Sequence, residues 1–316
     1  MAAFKPFLAC DFVEEHATFP LYILPKIDGV RGLNYNGTLT GRSLKKFKNK
    51  HLTRLFSKPH YEGFDGELAA GDECDPDLCR KSSSASGTIE GEFFWTWHVF
   101  DLCSDSVQHL PYEERHAMLK AYVESEQLEG RLMDLKVVPM IKVNNMNELL
   151  EQEEVWLEMG YEGVITRKPG KPCKRGRATS REGGYGRIKR FTDGEGVITR
   201  INEGMTNMNE AQINELGHTF RSTHQDNMVP SGMIGSYVVT LLTVPEGLPD
   251  HIVLNVGDEM TVGAGKLTHE ERLYYFQNPD KFLGRISKFK FFLHGMKDKL
   301  RIPTHQSFRE VEDMSE

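Results

Sequence analysis

The sequence predicts an α+β chain in two parts: antiparallel sheets and helices come first, then separated strands that close into a small all-β barrel. Three observations carry this. In the first part, short apolar runs punctuated by Asn-Gly and Asp-Gly pairs alternate with two stretches of helical periodicity. After about residue 192 the texture changes to strand-like runs broken by one short helix. Finally, 316 residues with 39% apolar content is about two average domains, each able to bury a core. The boundary is expected at Asp193-Gly194, giving domains 1–192 and 193–316.

Taken in order, residues 21–24 are an apolar strand, and 31–35 and 38–40 flank Asn36-Gly37, the pair that most strongly signals a hairpin because both residues accept positive φ. A strand over 66–70, a polar Ser- and Gly-rich loop over 81–91 and an aromatic strand within 93–102 follow. Pro111 opens a helix to about Ser125, with Glu113 and Glu114 where the helix dipole favours acids. A second helix over 147–159 has Asn145 as its cap and Gly160 as its stop, and a strand over 163–167 comes next. Strands over 196–201, 236–243, 251–256 and 285–293, with a helix over 268–277 opened by the capping box Thr268/Glu271, suit an OB-type barrel.

With 39 basic against 46 acidic residues the net charge is −7, so bulk electrostatics do not announce a nucleic-acid binder. The 18 Phe, 10 Tyr and 3 Trp need interiors, which excludes a disordered chain. No run approaches the roughly 18 apolar residues of a membrane span, and residues 1–12 lack the pattern of a signal peptide, so a cytoplasmic protein without a membrane partner is expected. Five cysteines (10, 74, 79, 103 and 173), odd in number and without a C-x2-C pair, read as reduced thiols rather than as disulfides or a zinc site.

The sharpest local feature is Lys26-Ile27-Asp28-Gly29-Val30-Arg31-Gly32, where a strand leads into the hairpin. Alone, such a stretch is a surface lysine beside a common turn. Its company changes that: Asp65-Gly66-Glu67 follows, then Glu162-Gly163-Val164-Ile165, then Arg187-Ile188-Lys189. Each pairs charge with an apolar strand, and a buried charge costs several kcal/mol unless it meets a partner, a metal or an anion. One shared site is the economical reading.

This ordered set resembles the covalent nucleotidyltransferases and, within them, small viral or phage-type ATP-dependent DNA ligases. The likeness extends to Arg42-Ser43 with Lys45, to Val99-Phe100-Asp101, to Val262–Gly265, and to Leu300–Pro303 followed by Phe308-Arg309 and Glu312-Asp313. It implies an adenylation domain followed by an OB domain on a hinge that closes over ATP. Lys26 is then the nucleophile that attacks the α-phosphate of ATP, with Asp28 beside it. Glu162 and Glu67 are the expected ligands of Mg2+ or Mn2+, and Arg187 and Lys189 the cations for the phosphates. Arg31 and Glu67 are expected at the ribose, Phe100 on the adenine, and Arg309 and Asp313 at the pyrophosphate.

An amine attacks only when unprotonated, so partial burial and nearby cations, a divalent metal with Arg187 and Lys189, are expected to lower the Lys26 pKa. Basic islands around Arg42, Lys45 and Lys174 are expected to grip the nick phosphates of duplex DNA, with Arg42 on the 5′-phosphate. A monomer acting in DNA replication, repair or recombination is implied. Arg187 stands where the family usually has Lys, and Met314 follows Asp313 where a basic residue is common. An RNA ligase, an mRNA capping guanylyltransferase and a non-catalytic OB-fold nucleic-acid binder are the competing readings.

Overall fold

A computed structural model describes residues 4–296 and 299–309. One compact unit runs to Lys189 and takes in Asn214–His218, and a second takes in Arg190–Ile213 and the chain from Thr219. In the first unit, one five-stranded sheet has the order Cys10–Asp11, Gly186–Lys189, Gly163–Arg167, Leu21–Lys26, Ile141–Val143, and the other Thr38–Thr40, Val30–Tyr35, Phe64–Ala69, Thr96–Leu102, Leu135–Val137. Leu24 and Ile27 pack with Ala69, Tyr112 and Val138, so the two sheets share a core at the Lys26 turn.

Local chemistry explains several of these elements. Asn36 and Gly37 take φ of 53° and 69°, as the hairpin requires. Asn145 accepts a hydrogen bond from the Glu148 amide and caps the helix Met146–Glu158, and the strand Gly163–Arg167 lies where the sequence puts it. The helix from Pro111 runs on to Leu128, because Arg115, His116, Leu119 and Val123 share one buried face. Instead of the polar loop expected over 81–91, the chain forms the helix Leu78–Gly87. Its small residues Ser82, Ala85 and Ser86 are buried, and the Ser82 hydroxyl accepts the Ala70 amide proton at 3.0 Å. Tertiary packing overrides composition there.

The second unit is a closed five-stranded barrel in the order Thr192–Asn207, Met228–Leu241, Glu259–Gly263, Arg301–Arg309, Ile286–Phe292. This is an OB-type barrel, with the helix His269–Gln277 opened by the Thr268/Glu271 capping box. The strand expected over 251–256 is absent, its place in the barrel being taken by Glu259–Gly263; the fifth strand, Arg301–Arg309, had no strand reading in the sequence. Among the described residues no helix is long and apolar enough to cross a membrane.

The cysteine expectation needs correction. Cys103 and Cys173 form a disulfide, while Cys10, Cys74 and Cys79 are free thiols. The partners stand 70 residues apart in sequence and meet because the chain beyond strand Thr96–Leu102 lies against the segment after Arg167, where the Cys173 amide donates to the Gln108 carbonyl at 2.8 Å. Sequence spacing does not encode such a meeting.

Inside the barrel the Tyr237 and Ser287 hydroxyls lie 2.7 and 2.9 Å from Nδ1 of His305. Burial pushes the His305 pKa down to about 4. Its folded value lies below the unfolded one of about 6.5, so its contribution to stability is complete above that pH and is lost as pH falls toward 4. The melting temperature should therefore drop by several degrees more between pH 7 and 4.5 in the native protein than in His305→Asn, as followed by circular dichroism.

Candidate active site

Register builds the site. Gly163 pairs with Lys26 on one side and Lys189 on the other, so three strands bring both lysines level with Glu162. The Glu162 amide donates to the Lys26 carbonyl at 2.9 Å. The Glu162 carboxylate, 1% exposed, forms an ion pair with each lysine, one per oxygen, and each lysine side chain is 21% exposed. Gly163 is required: its φ is +154°, and a Cβ there would lie 2.3 Å from the Ile188 carbonyl oxygen. Gly29 answers to the same constraint, since its Cβ would fall 2.4 Å from the Leu68 carbonyl oxygen of the neighbouring sheet.

Lys26 opens onto a cavity of about 160 Å³ whose lining includes Arg31, Arg42, Glu67, Phe100, Tyr185 and Arg187. Its apolar walls include Pro25, Ile27, Val138 and Ile165, an arrangement suited to a flat ring beside charged groups. Arg31 pairs with Glu67 across the second sheet. Its guanidinium donates Nε to Asp65 at 2.7 Å and Nη2 to Asp65 and to the Phe7 carbonyl, while Phe100 covers it with the ring centroid 5.2 Å away. Nη1 makes no hydrogen bond among the described residues and is available to a ligand. Arg187 donates to Asp11 at 2.8 Å and is half-exposed.

Carboxylates outweigh burial at the lysine. Burial alone would lower the Lys26 pKa, but Glu162, Glu67 and Asp28 outweigh it and hold the amine above its ordinary value. The expectation of a lowered value thus fails for the free protein, because Lys189 spends its charge on Glu162 and Arg187 on Asp11. Burial, against the pull of Lys26 and Arg31, pushes the Glu67 pKa up to about 8; Lys26 and Lys189 overcome burial at Glu162 and bring its pKa down to about 2.

The site thus gathers Lys26, Arg31, Arg42, Glu67, Phe100, Glu162, Arg187 and Lys189. Asp28 is buried beside Lys26. Lys45 stands on the exposed turn after Thr38–Thr40, outside the cavity lining. Lys174 is paired with Glu182 at 2.8 Å and lines a different cavity, of about 390 Å³, with Cys103 and Cys173. Arg309 lies in the barrel and donates to Glu195 at 2.9 Å, and Asp313 lies outside the described residues. Sequence reasoning missed Tyr185, and it missed the Asp65 carboxylate that fixes Arg31. The signal for Asp65 was its place two residues before Glu67, on the same face of a strand.

The two-sheet unit with Lys26 at its cavity, followed in the chain by an OB barrel, is the fold the chain shares with DNA ligases of known structure. Over nearly its whole length the chain is similar to DNA ligases of known structure. It is 27% identical to a Chlorella virus DNA ligase–adenylate, covering 99% of this chain and 100% of that one with a TM-score of 0.52. A Lig E DNA ligase, 18% identical, shares the fold over 96% of this chain and 98% of that one with a TM-score of 0.61. No family model and no curated protein sequence matches the chain.

Proposed function

We propose that the protein is an ATP-dependent DNA ligase that seals nicks in duplex DNA as a monomer, with residues 1–192 as adenylation domain and 193–316 as OB domain. The observation that carries this is Lys26 at the edge of a ring-sized cavity, on one row with Glu162 and Lys189. The Lys26 nitrogen gives up a proton and bonds to the α-phosphorus of ATP as the bond to the β-phosphate oxygen breaks and pyrophosphate leaves. A 5′-phosphate oxygen of the nick then displaces Lys26 from the adenylate. Attack by the neighbouring 3′-hydroxyl on that 5′-phosphorus releases AMP and leaves a sealed phosphodiester.

The residues present divide this work. Phe100 offers its ring to adenine, and the free Nη1 of Arg31, with Glu67, faces the ribose. Arg42 and Arg187 at the cavity meet phosphate oxygens, and Lys189 neutralises the charge built up in the displacement. Glu67 and Glu162 are oxygen donors suited to a hard divalent cation, and Glu67 makes no hydrogen bond or ion pair among the described residues. They would hold Mg2+ or Mn2+, which when bound supplies positive charge for the phosphates.

The test is labelling with α-labelled ATP or GTP in the presence of Mg2+, followed by sealing of nicked substrates. Covalent, acid-labile label from ATP and joining of nicked duplex DNA are expected. Label from GTP alone would turn the assignment to capping, and sealing of RNA in preference to DNA would turn it to an RNA ligase.

A further inference from the structure

Tyr185 and Arg167 sit behind the cavity and take no part in the chemistry above. Tyr185 is 4% exposed yet lines the cavity with Lys26. The Arg167 guanidinium lies 3.5 Å from the ring centroid, and Phe7 meets the ring edge-on at 5.2 Å. Arg31 and Phe100, which line the cavity too, are 6.0 Å from the same centroid and edge-on at 6.5 Å respectively. One ring thus meets two buried guanidiniums, Arg31 held by Asp65 and Arg167 paired with Asp101.

Arg167 makes the arrangement specific. It is 1% exposed, and its Nε and Nη1 have no hydrogen-bond partner among the described residues. Leaving buried donors unpaired is costly, and a well-packed protein keeps such a group only where something else compensates. Here the compensation is Asp101 at 3.0 Å and the faces of Tyr185 and Tyr112, the latter 4.5 Å away.

We propose that Tyr185, seated on Arg167, is a positioning residue for nucleotide binding: it holds Arg31 and the Phe100 ring at the angles at which they meet ribose and base. This rests on the ligase reading, and it assigns Tyr185 to affinity rather than to the transfer step. Its hydroxyl is not needed, since the ring face and edges do the holding.

The test is the adenylation kinetics of Tyr185→Phe, Tyr185→Ala and Arg167→Lys with labelled ATP, each protein checked for folding by its melting curve. Tyr185→Phe should stay within about twofold of the native protein in both constants. Tyr185→Ala should raise KM for ATP about tenfold or more, with kcat within about threefold. Arg167→Lys, whose compact ammonium lacks the planar stacking face, should fall between them in KM. A native KM in folded Tyr185→Ala would overturn the proposal, and so would Tyr185→Phe as impaired as Tyr185→Ala. Loss confined to kcat would overturn it as well. If the native protein takes no label from ATP, it is the ligase reading that has failed.

Discussion

Lys26→Ala should take no label from ATP, a loss of at least about a thousandfold in adenylation, because removing the nucleophile leaves nothing else in the cavity to form the phosphorus–nitrogen bond. Lys26→Arg should be equally inactive although it keeps a cation for Glu162, since a guanidinium stays protonated and cannot attack. The pair separates chemistry from folding: Lys26→Arg should melt near the native temperature while remaining unlabelled. Both variants should still seal a nick that already carries a 5′-adenylate, because the last step does not use the lysine nitrogen. Label retained in Lys26→Ala, read by gel and by the mass of the peptide spanning position 26, would sink the assignment.

The largest effect on stability should come from Asp101→Asn. Asp101 is wholly buried and accepts from Arg115 at 2.9 and 3.0 Å, with Arg167 a further 3.0 Å away. Burial opposes its charge, yet Arg167 and Arg115 hold its pKa below the ordinary carboxylate range. Neutralising it leaves two buried guanidiniums without a counter-charge, an error of about 3–5 kcal/mol. That is a large part of the stability of an ordinary domain, so denaturant unfolding of the first unit should shift strongly or the variant should fail to accumulate. The replacement Lys120→Ala on the exposed face of the helix that carries Arg115 should change unfolding by less than about 0.5 kcal/mol. If Asp101→Asn unfolds like the native protein, the cluster does not stabilise the fold as described.

Much of the site was legible because its chemistry is local. Lys26-Ile27-Asp28-Gly29, Asp65-Gly66-Glu67 and Glu162-Gly163 announce themselves by placing a charge beside a glycine, and the glycines are there because neighbouring backbone leaves no space for a Cβ. The Asn145 cap and the Thr268/Glu271 box were legible for the same reason, each being a matter of three or four residues. What stayed hidden depends on partners far away in sequence. The helix Leu78–Gly87 is polar by composition and exists because its small side chains fit against strand Phe64–Ala69. The Cys103–Cys173 bond, the seating of Tyr185 on Arg167 and the sharing of Glu162 between two lysines are facts of register and loop path. The state of Lys26 was misread on the same account. Its motif shows an amine, but only the folded row shows which carboxylates surround it.

The row formed by Lys26, Gly163 and Lys189 limits how such a chain can diverge. Successive side chains in a strand point to opposite faces, so inserting or deleting a single residue within Leu21–Lys26 or Gly186–Lys189 would turn a lysine away from the pocket. Length changes are harmless only in the connections between these strands. Indels among descendants should therefore gather in stretches such as 71–77 and 129–134, while the number of residues inside each of the three strands stays invariant even where most of their letters have been exchanged.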